Sequence, residues 1–151
     1  EGDGIGESNA MLWYLAEDTH LMPKNAADRA EALQWMFFEQ SKLEPNISPA
    51  RFFTTILPHE AANKAVEIDA WQDAAAPGLA RLDAHLHDRK FMLQSGYSVA
   101  DIALFGYVHV TEEAGISLAE YPNIERWIND VSATENFRPL AELGHVRNVA
   151  A

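Results

Sequence analysis

Glu7-Ser8 is the pair in this chain whose types and position suggest binding chemistry. It precedes the apolar run Asn9-Ala10-Met11-Leu12-Trp13-Tyr14-Leu15-Ala16, whose spacing suits a helix. A helix N-terminus presents N–H groups without intrahelical partners and a partial positive charge, a combination that suits a carboxylate. The Ser8 hydroxyl can add a donor, and the Glu7 carboxylate can accept from an ammonium. Together they could hold an amino-acid moiety by both ends. The competing reading makes Ser8 an N-cap only and Glu7 an ordinary acid at a helix start.

Other reactive types are poorly arranged. His59-Glu60 opens His-Glu-Ala-Ala-Asn, which lacks the second histidine of a zinc-protease helix. His85 and His87 lie two apart and cannot share a helix face, so they read as solvated residues near a helix end. His109 reads as a core or interface histidine. No metal site is expected. The chain has no cysteine, which excludes a disulfide, a Cys-ligated metal and a thiol nucleophile within it. No Gly-x-Ser-x-Gly elbow or phosphate-cradling loop is present, and Gly2, Gly4 and Gly6 read as turn glycines. The aromatics Trp35, Phe37, Phe38, Phe52 and Phe53 read mostly as core.

Lys+Arg number 11 against 23 Asp+Glu, a net charge of −12. That sign opposes binding to nucleic-acid phosphates or anionic lipid. No apolar run approaches the roughly 20 residues that span a bilayer, and Glu1-Gly2-Asp3-Gly4 lacks signal-peptide character. The expectation is a cytoplasmic protein with no nucleic-acid or membrane partner.

The elements that must position Glu7 and Ser8 are helical. A Gly/Asp-rich opening reads as a turn and the end of a strand, followed by a helix from Ser8 through Ala16. Asn25 caps the next helix, with a bend or break expected near Glu44–Ser48, where Pro45 and Pro49 fall. A further helical run extends from His59 to Asp88, with a kink or cap expected at Pro77-Gly78. The stretch Tyr97–Glu113 opens with Ser98 and, three residues on, Asp101, a capping box. It is apolar all round, which predicts burial, and Gly106 within it suggests a close backbone neighbour. Removing the Asp101 cap should cost about 0.5–2 kcal/mol. Gly115 ends this segment, Pro122 opens a helix with the stripe Ile124, Trp127, Ile128 and Val131, and Pro139–Leu143 forms a short last helix. No stretch alternates with a period of two. The fold class is all-α.

Several of these segments, taken in order, resemble the cytosolic glutathione transferase family, bacterial type. Glu7 to Glu17 resembles the family's Glu-Ser-Asn-Ala segment at the final helix of its thioredoxin-like domain. Ser98-Val99-Ala100-Asp101-Ile102-Ala103 resembles the capping box of its helical domain. Gln34-Trp35 to Gln40, Glu44-Pro45, Arg51-Phe52 and Tyr121 to Trp127 supply the intervening and later motifs. The resemblance implies a helical bundle of the family's C-terminal type, residues 23–151, behind a remnant of a thioredoxin-like α/β domain, residues 1–22. It implies that Glu7 and Ser8 contact the γ-glutamyl end of glutathione as co-substrate, without metal. More loosely, it places Glu44 and Arg51 at a second-substrate wall, and it makes Ser98 and Asp101 structural. The family's catalytic Ser, Tyr or Cys would fall upstream of Glu1, so the isolated chain is expected to be inactive. The implied function is conjugation of glutathione to a small electrophile (a detoxifying reaction) or a related thiol reaction, in a homodimer. The alternative is a non-catalytic module of the same type used in protein assembly.

Overall fold

The computed structural model describes residues 4–143. Among the described residues six α-helices carry the fold: α1 Ser8–Ala16, α2 Ala26–Phe38, α3 Glu44–Arg51, α4 Ala65–Leu86, α5 Val99–Val108 and α6 Pro122–Ser132. Shorter turns join them, and among the described residues the β-structure is a single bridge, Leu93 to Gly96. The all-α expectation holds.

Asn25 caps α2 as expected, its side chain accepting from Asp28 N–H at 2.8 Å. The break in regular α-helix lies earlier than the Glu44–Ser48 expected for a bend or break. A π-helical turn, Glu39–Leu43, sits between α2 and α3, and Pro45 and Pro49 both lie within α3. Proline lacks an N–H and its ring crowds the carbonyl four residues back. For Pro45 that carbonyl belongs to Ser41, so the adjustment falls inside the preceding turn. A second π-turn, Phe52–Ile56, closes α3, and a 3₁₀ segment, Pro58–Lys64, leads to α4.

Helix α4 continues through Pro77-Gly78, where a kink or cap was expected. Its 22 residues reach about 33 Å, and Ile68, Ala75, Leu79, Leu82 and Leu86 bury one face along that length. Packing over so many turns outweighs the one hydrogen bond that Pro77 removes. Gly78 is itself buried: a Cβ there would lie 2.8 Å from Leu43 Cδ2 and 3.4 Å from the Lys42 carbonyl oxygen.

α5 packs against α1, α2, α3 and α6. Val99, Ala100, Asp101, Ala103, Leu104 and Val108 are buried, but Gly106 is exposed. No atom outside its own helix lies within 4 Å of a Cβ built on Gly106, so the close backbone neighbour expected there is absent. The helix ends at Val108. A 3₁₀ turn, Thr111–Ala114, follows and stops at Gly115, whose φ of 77° suits glycine. α6 begins at Pro122 and buries Ile124, Trp127 and Val131, and the segment expected as a last short helix is a 3₁₀ turn, Leu140–Leu143.

At the start of α5 the reciprocal cap is in place. Asp101 Oδ2 accepts from Ser98 N–H at 2.9 Å, and Ser98 Oγ accepts from Ala100 N–H at 3.3 Å. Asp101 does more than cap. Its Oδ1 accepts from Met92 N–H at 2.8 Å and from Trp127 Nε1–H at 2.9 Å, joining the loop before α5 to α6.

Candidate functional site

Helix α1 is short and starts without a cap. Glu7 occupies the N-cap position with φ 64° and ψ 118°, and no side chain caps the first turn. Ser8 is therefore the first helical residue rather than the cap expected from its type. A positive φ at a residue other than glycine costs about 1 kcal/mol or more and concentrates at functional sites. Glu7 carries the first helical hydrogen bond on its carbonyl, which accepts from Met11 N–H at 3.0 Å. The N–H groups of Ser8, Asn9 and Ala10 precede the intrahelical ladder and point outward along the axis. Glu7 and Ser8 are both exposed, and Ser8 Oγ makes no hydrogen bond among the described residues. An uncapped helix end with a free hydroxyl and an adjacent carboxylate can take an anion and a cation side by side.

Asn9 ties this turn to the bundle. Its Nδ2 donates to the Met36 carbonyl at 3.0 Å and reaches Glu39 Oε2 at 3.5 Å. Between α1 and α2 runs an apolar groove of about 920 Å³, with Glu7, Trp13, Tyr14, Leu33, Phe37 and Gln40 among its walls. Phe37, Tyr14 and Leu15 expose about two-thirds or more of their surface. Phe37 therefore does not belong to the core, although the sequence suggested that the aromatic stripe would mostly be buried.

Glu44 and Arg51 stand at opposite ends of α3, about 10 Å apart along its axis. Neither lines the groove beside Glu7. Glu44 is half-buried. Arg51 is engaged within the fold: its Nε donates to Glu113 Oε2 at 2.7 Å, and the Glu113 carbonyl accepts from the Thr54 and Thr55 hydroxyls.

The histidines divide differently from the sequence reading. His87 is exposed as expected, but His85 is packed, its ring 4.3 Å from that of Trp35 and its Nε2 bonded to the Met92 carbonyl at 2.8 Å. Burial holds its pKa below the ordinary histidine value. His109 stacks on Phe105 with ring centroids 4.4 Å apart. Among the described residues no three His, Cys, Asp or Glu side chains gather as a metal site would require.

One acid was missed by the sequence reading. Glu39 is almost wholly buried, at 1% exposure. Its position repeats Ala32, Trp35 and Met36 at spacings of seven, four and three, so helical periodicity places it on the inner face of α2. That signal was present, but Glu39 reads as one polar residue among the Glu-Gln-Ser-Lys run until the periodicity is followed through it. Burial pushes its carboxyl above the ordinary glutamate value, Gln40 and Asn9 pull it back, and the charge of Glu44 adds to the rise.

Comparison with known proteins gives a consistent result. Residues 65–130 match the family model described as glutathione S-transferase, C-terminal domain. The chain is 30% identical over 146 residues to the disulfide-bond oxidoreductase YfcG of Escherichia coli, covering 94% of this chain and 66% of that protein. It is 30% identical over 132 residues to elongation factor 1-gamma of Artemia salina, covering 84% of this chain and 29% of that protein. Among solved structures it superposes on a candidate glutathione S-transferase from Rhodopseudomonas palustris with a TM-score of 0.87 and 38% identity, covering 89% of this chain and 61% of that one. A glutathione S-transferase from Xanthobacter autotrophicus gives 0.84 and 33%, covering 91% and 68%. A glutathione transferase from Burkholderia graminis, solved with two glutathione molecules bound per subunit, gives 0.74 and 30%, covering 86% and 56%. The chain thus spans about two-thirds or less of the length of most of these proteins.

Proposed function

The chain belongs to the glutathione S-transferase family, and from that premise we propose that the first turn of α1 is part of a glutathione site. In this reading the free N–H groups and the Ser8 hydroxyl hold the α-carboxylate of the γ-glutamyl residue, and Glu7 accepts from its ammonium. The observation that supports it is the uncapped start of α1, with Glu7 at positive φ and Ser8 exposed beside it. Residues 1–22 are then the end of a thioredoxin-like domain and 23–151 the helical domain. The Ser, Tyr or Cys that activates the thiol belongs to the part of the relatives' length that this chain does not span.

The reaction is attack of the glutathione thiolate on a small electrophile. A carbon–sulfur bond forms, the leaving group departs with its electron pair, and the thiol proton passes to solvent. Thiol exchange and peroxide reduction use the same thiolate. Helix α3, with Glu44 and Arg51 at its two ends, is the proposed wall for the second substrate, and the protein is proposed to act as a cytoplasmic homodimer without metal. Light scattering at the mass of one chain would overturn the dimer.

Two measurements test the assignment. This chain alone should leave the conjugation of an aryl halide at its uncatalysed rate; robust turnover would place catalysis within it. A polypeptide extended upstream to the relatives' length should be retained on glutathione resin. Ser8→Ala in that polypeptide should weaken glutathione binding by about tenfold, the worth of one hydrogen bond to a charged group. The similarity to elongation factor 1-gamma favours the second reading, an assembly module without catalysis, and absence of retention would select it.

A further inference from the structure

Glu39 presents a cost with no structural return of its own. Its Oε2 accepts from Gln40 Nε2 at 2.7 Å and from Asn9 Nδ2 at 3.5 Å. Its Oε1 is buried without a hydrogen-bond partner among the described residues. An orphaned buried oxygen is destabilising, and an apolar side chain of similar size would fill the same space without it. The acid also opens the π-turn Glu39–Leu43, a local geometry that recurs at functional sites. What it touches on the α1 side is Asn9, the residue directly after Glu7-Ser8, which the Met36 carbonyl holds as well.

We propose that Glu39 is a positioning residue for the first turn of α1: it holds the Asn9 amide, Asn9 fixes where Glu7 and Ser8 stand, and the ionisation of Glu39 thereby sets how tightly that turn grips an amino-acid ligand. The ligand half rests on the glutathione site described above, whereas the coupling of Glu39 to Asn9 and Ser8 does not. Asn9 is half-buried and Ser8 exposed, so the device carries the state of a buried acid to the surface across one side-chain amide. The charged and titratable groups on the elements around Glu39 are Glu7 before α1, Asp28, Arg29 and Glu31 of α2, Lys42 of its own π-turn, Glu44 and Arg51 of α3, Glu67, Asp69, Asp73, Arg81, Asp83 and His85 of α4, and Asp101 of α5. Of these, Glu44 is the one whose charge bears on it, and it acts in the same direction as burial.

The sign follows from that direction. A carboxyl raised above the ordinary glutamate value holds its proton more tightly in the folded chain than in the unfolded one. Its contribution to stability is fully present below that value and is lost as pH rises through the folded midpoint. The hold on Asn9 changes oppositely, since the ionised carboxylate is the stronger acceptor.

The test is an NMR titration of the ¹⁵N-labelled chain between about pH 4 and pH 8, a window that brackets a raised carboxyl. The Asn9 side-chain amide and the Ser8 and Asn9 backbone amides should move with one shared midpoint above the ordinary glutamate value. Glu39→Gln should abolish that midpoint. Asn9→Ala should leave the Glu39 carboxyl titrating while the Ser8 amide falls silent. A flat Ser8 amide in the unsubstituted chain, or an unchanged midpoint in Glu39→Gln, overturns the proposal. With reduced glutathione as the probe, in the polypeptide extended to the relatives' length, affinity should rise about fivefold across the same midpoint, the lower end of ordinary coupling between sites. In Glu39→Gln it should stay level. Amides that follow Glu39 without any response to glutathione would support the coupling and overturn the ligand half. Glutathione binding with the same pH profile in both proteins would overturn the coupling.

Discussion

Asp101→Ala is expected to lower the stability of the folded chain by about 4 kcal/mol, because it leaves several buried donors without an acceptor at once. The sequence supports only a capping role, whose loss costs about 0.5–2 kcal/mol. In the folded chain the same carboxylate, wholly buried, receives Met92 N–H, Trp127 Nε1–H, Ser98 N–H and the Ser98 hydroxyl. These donors come from the loop before α5, from the cap and from α6. Removing Asp101 therefore uncaps α5 and also releases α6 and the Met92 loop. Burial pushes the Asp101 carboxyl above its ordinary value, and the Trp127, Met92 and Ser98 hydrogen bonds pull it down again. Asp101→Asn should recover little, since one oxygen becomes an NH₂ group among donors. Trp127→Phe, which removes one donor and keeps most of the ring, should cost only about 1–2 kcal/mol. Chemical denaturation measures all three. A loss below about 2 kcal/mol for Asp101→Ala would reduce the residue to a simple cap.

Two glycines should respond to substitution with opposite signs. Gly78→Val is expected to destabilise by about 2–3 kcal/mol, at the upper end of overpacking costs. Even its Cβ would meet Leu43 Cδ2 at 2.8 Å and press on the Lys42 carbonyl oxygen at 3.4 Å. The side-chain tip can move, but the carbonyl belongs to the π-turn and cannot move without disturbing Glu39–Leu43. Gly106→Ala, by contrast, is expected to stabilise by about 1 kcal/mol, the difference in helix propensity. It is exposed, mid-helix and without a neighbour in reach of the new carbon. Denaturation midpoints moving the same way in both variants would contradict this account.

The same pair marks the boundary between what the chain and what the fold decides. Local rules identified the elements: Asn25 and Ser98 as caps, Pro122 in the first turn of α6 and the buried stripe of α6. Each depends on a few consecutive residues and their hydrogen bonds, so the sequence alone was enough. The family was legible for a similar reason, since its motifs are short and fall in a fixed order.

Tertiary packing decided the rest. Which glycine admits a neighbour depends on where α4 crosses the π-turn, and no spacing rule within α4 or α5 contains that crossing. Pro77 did not interrupt its helix because contacts along 22 residues outweigh one lost hydrogen bond. Ser8 was displaced from the cap by the positive φ of Glu7, a backbone state that residue type does not announce. Arg51 was drawn to Glu113, 62 residues away. Glu7 and Ser8 could be singled out from their place at a helix start. That Glu39 lies behind them and is joined to them through Asn9 follows only once α1 and α2 pack together, because a hydrogen bond across 30 residues has no local signature.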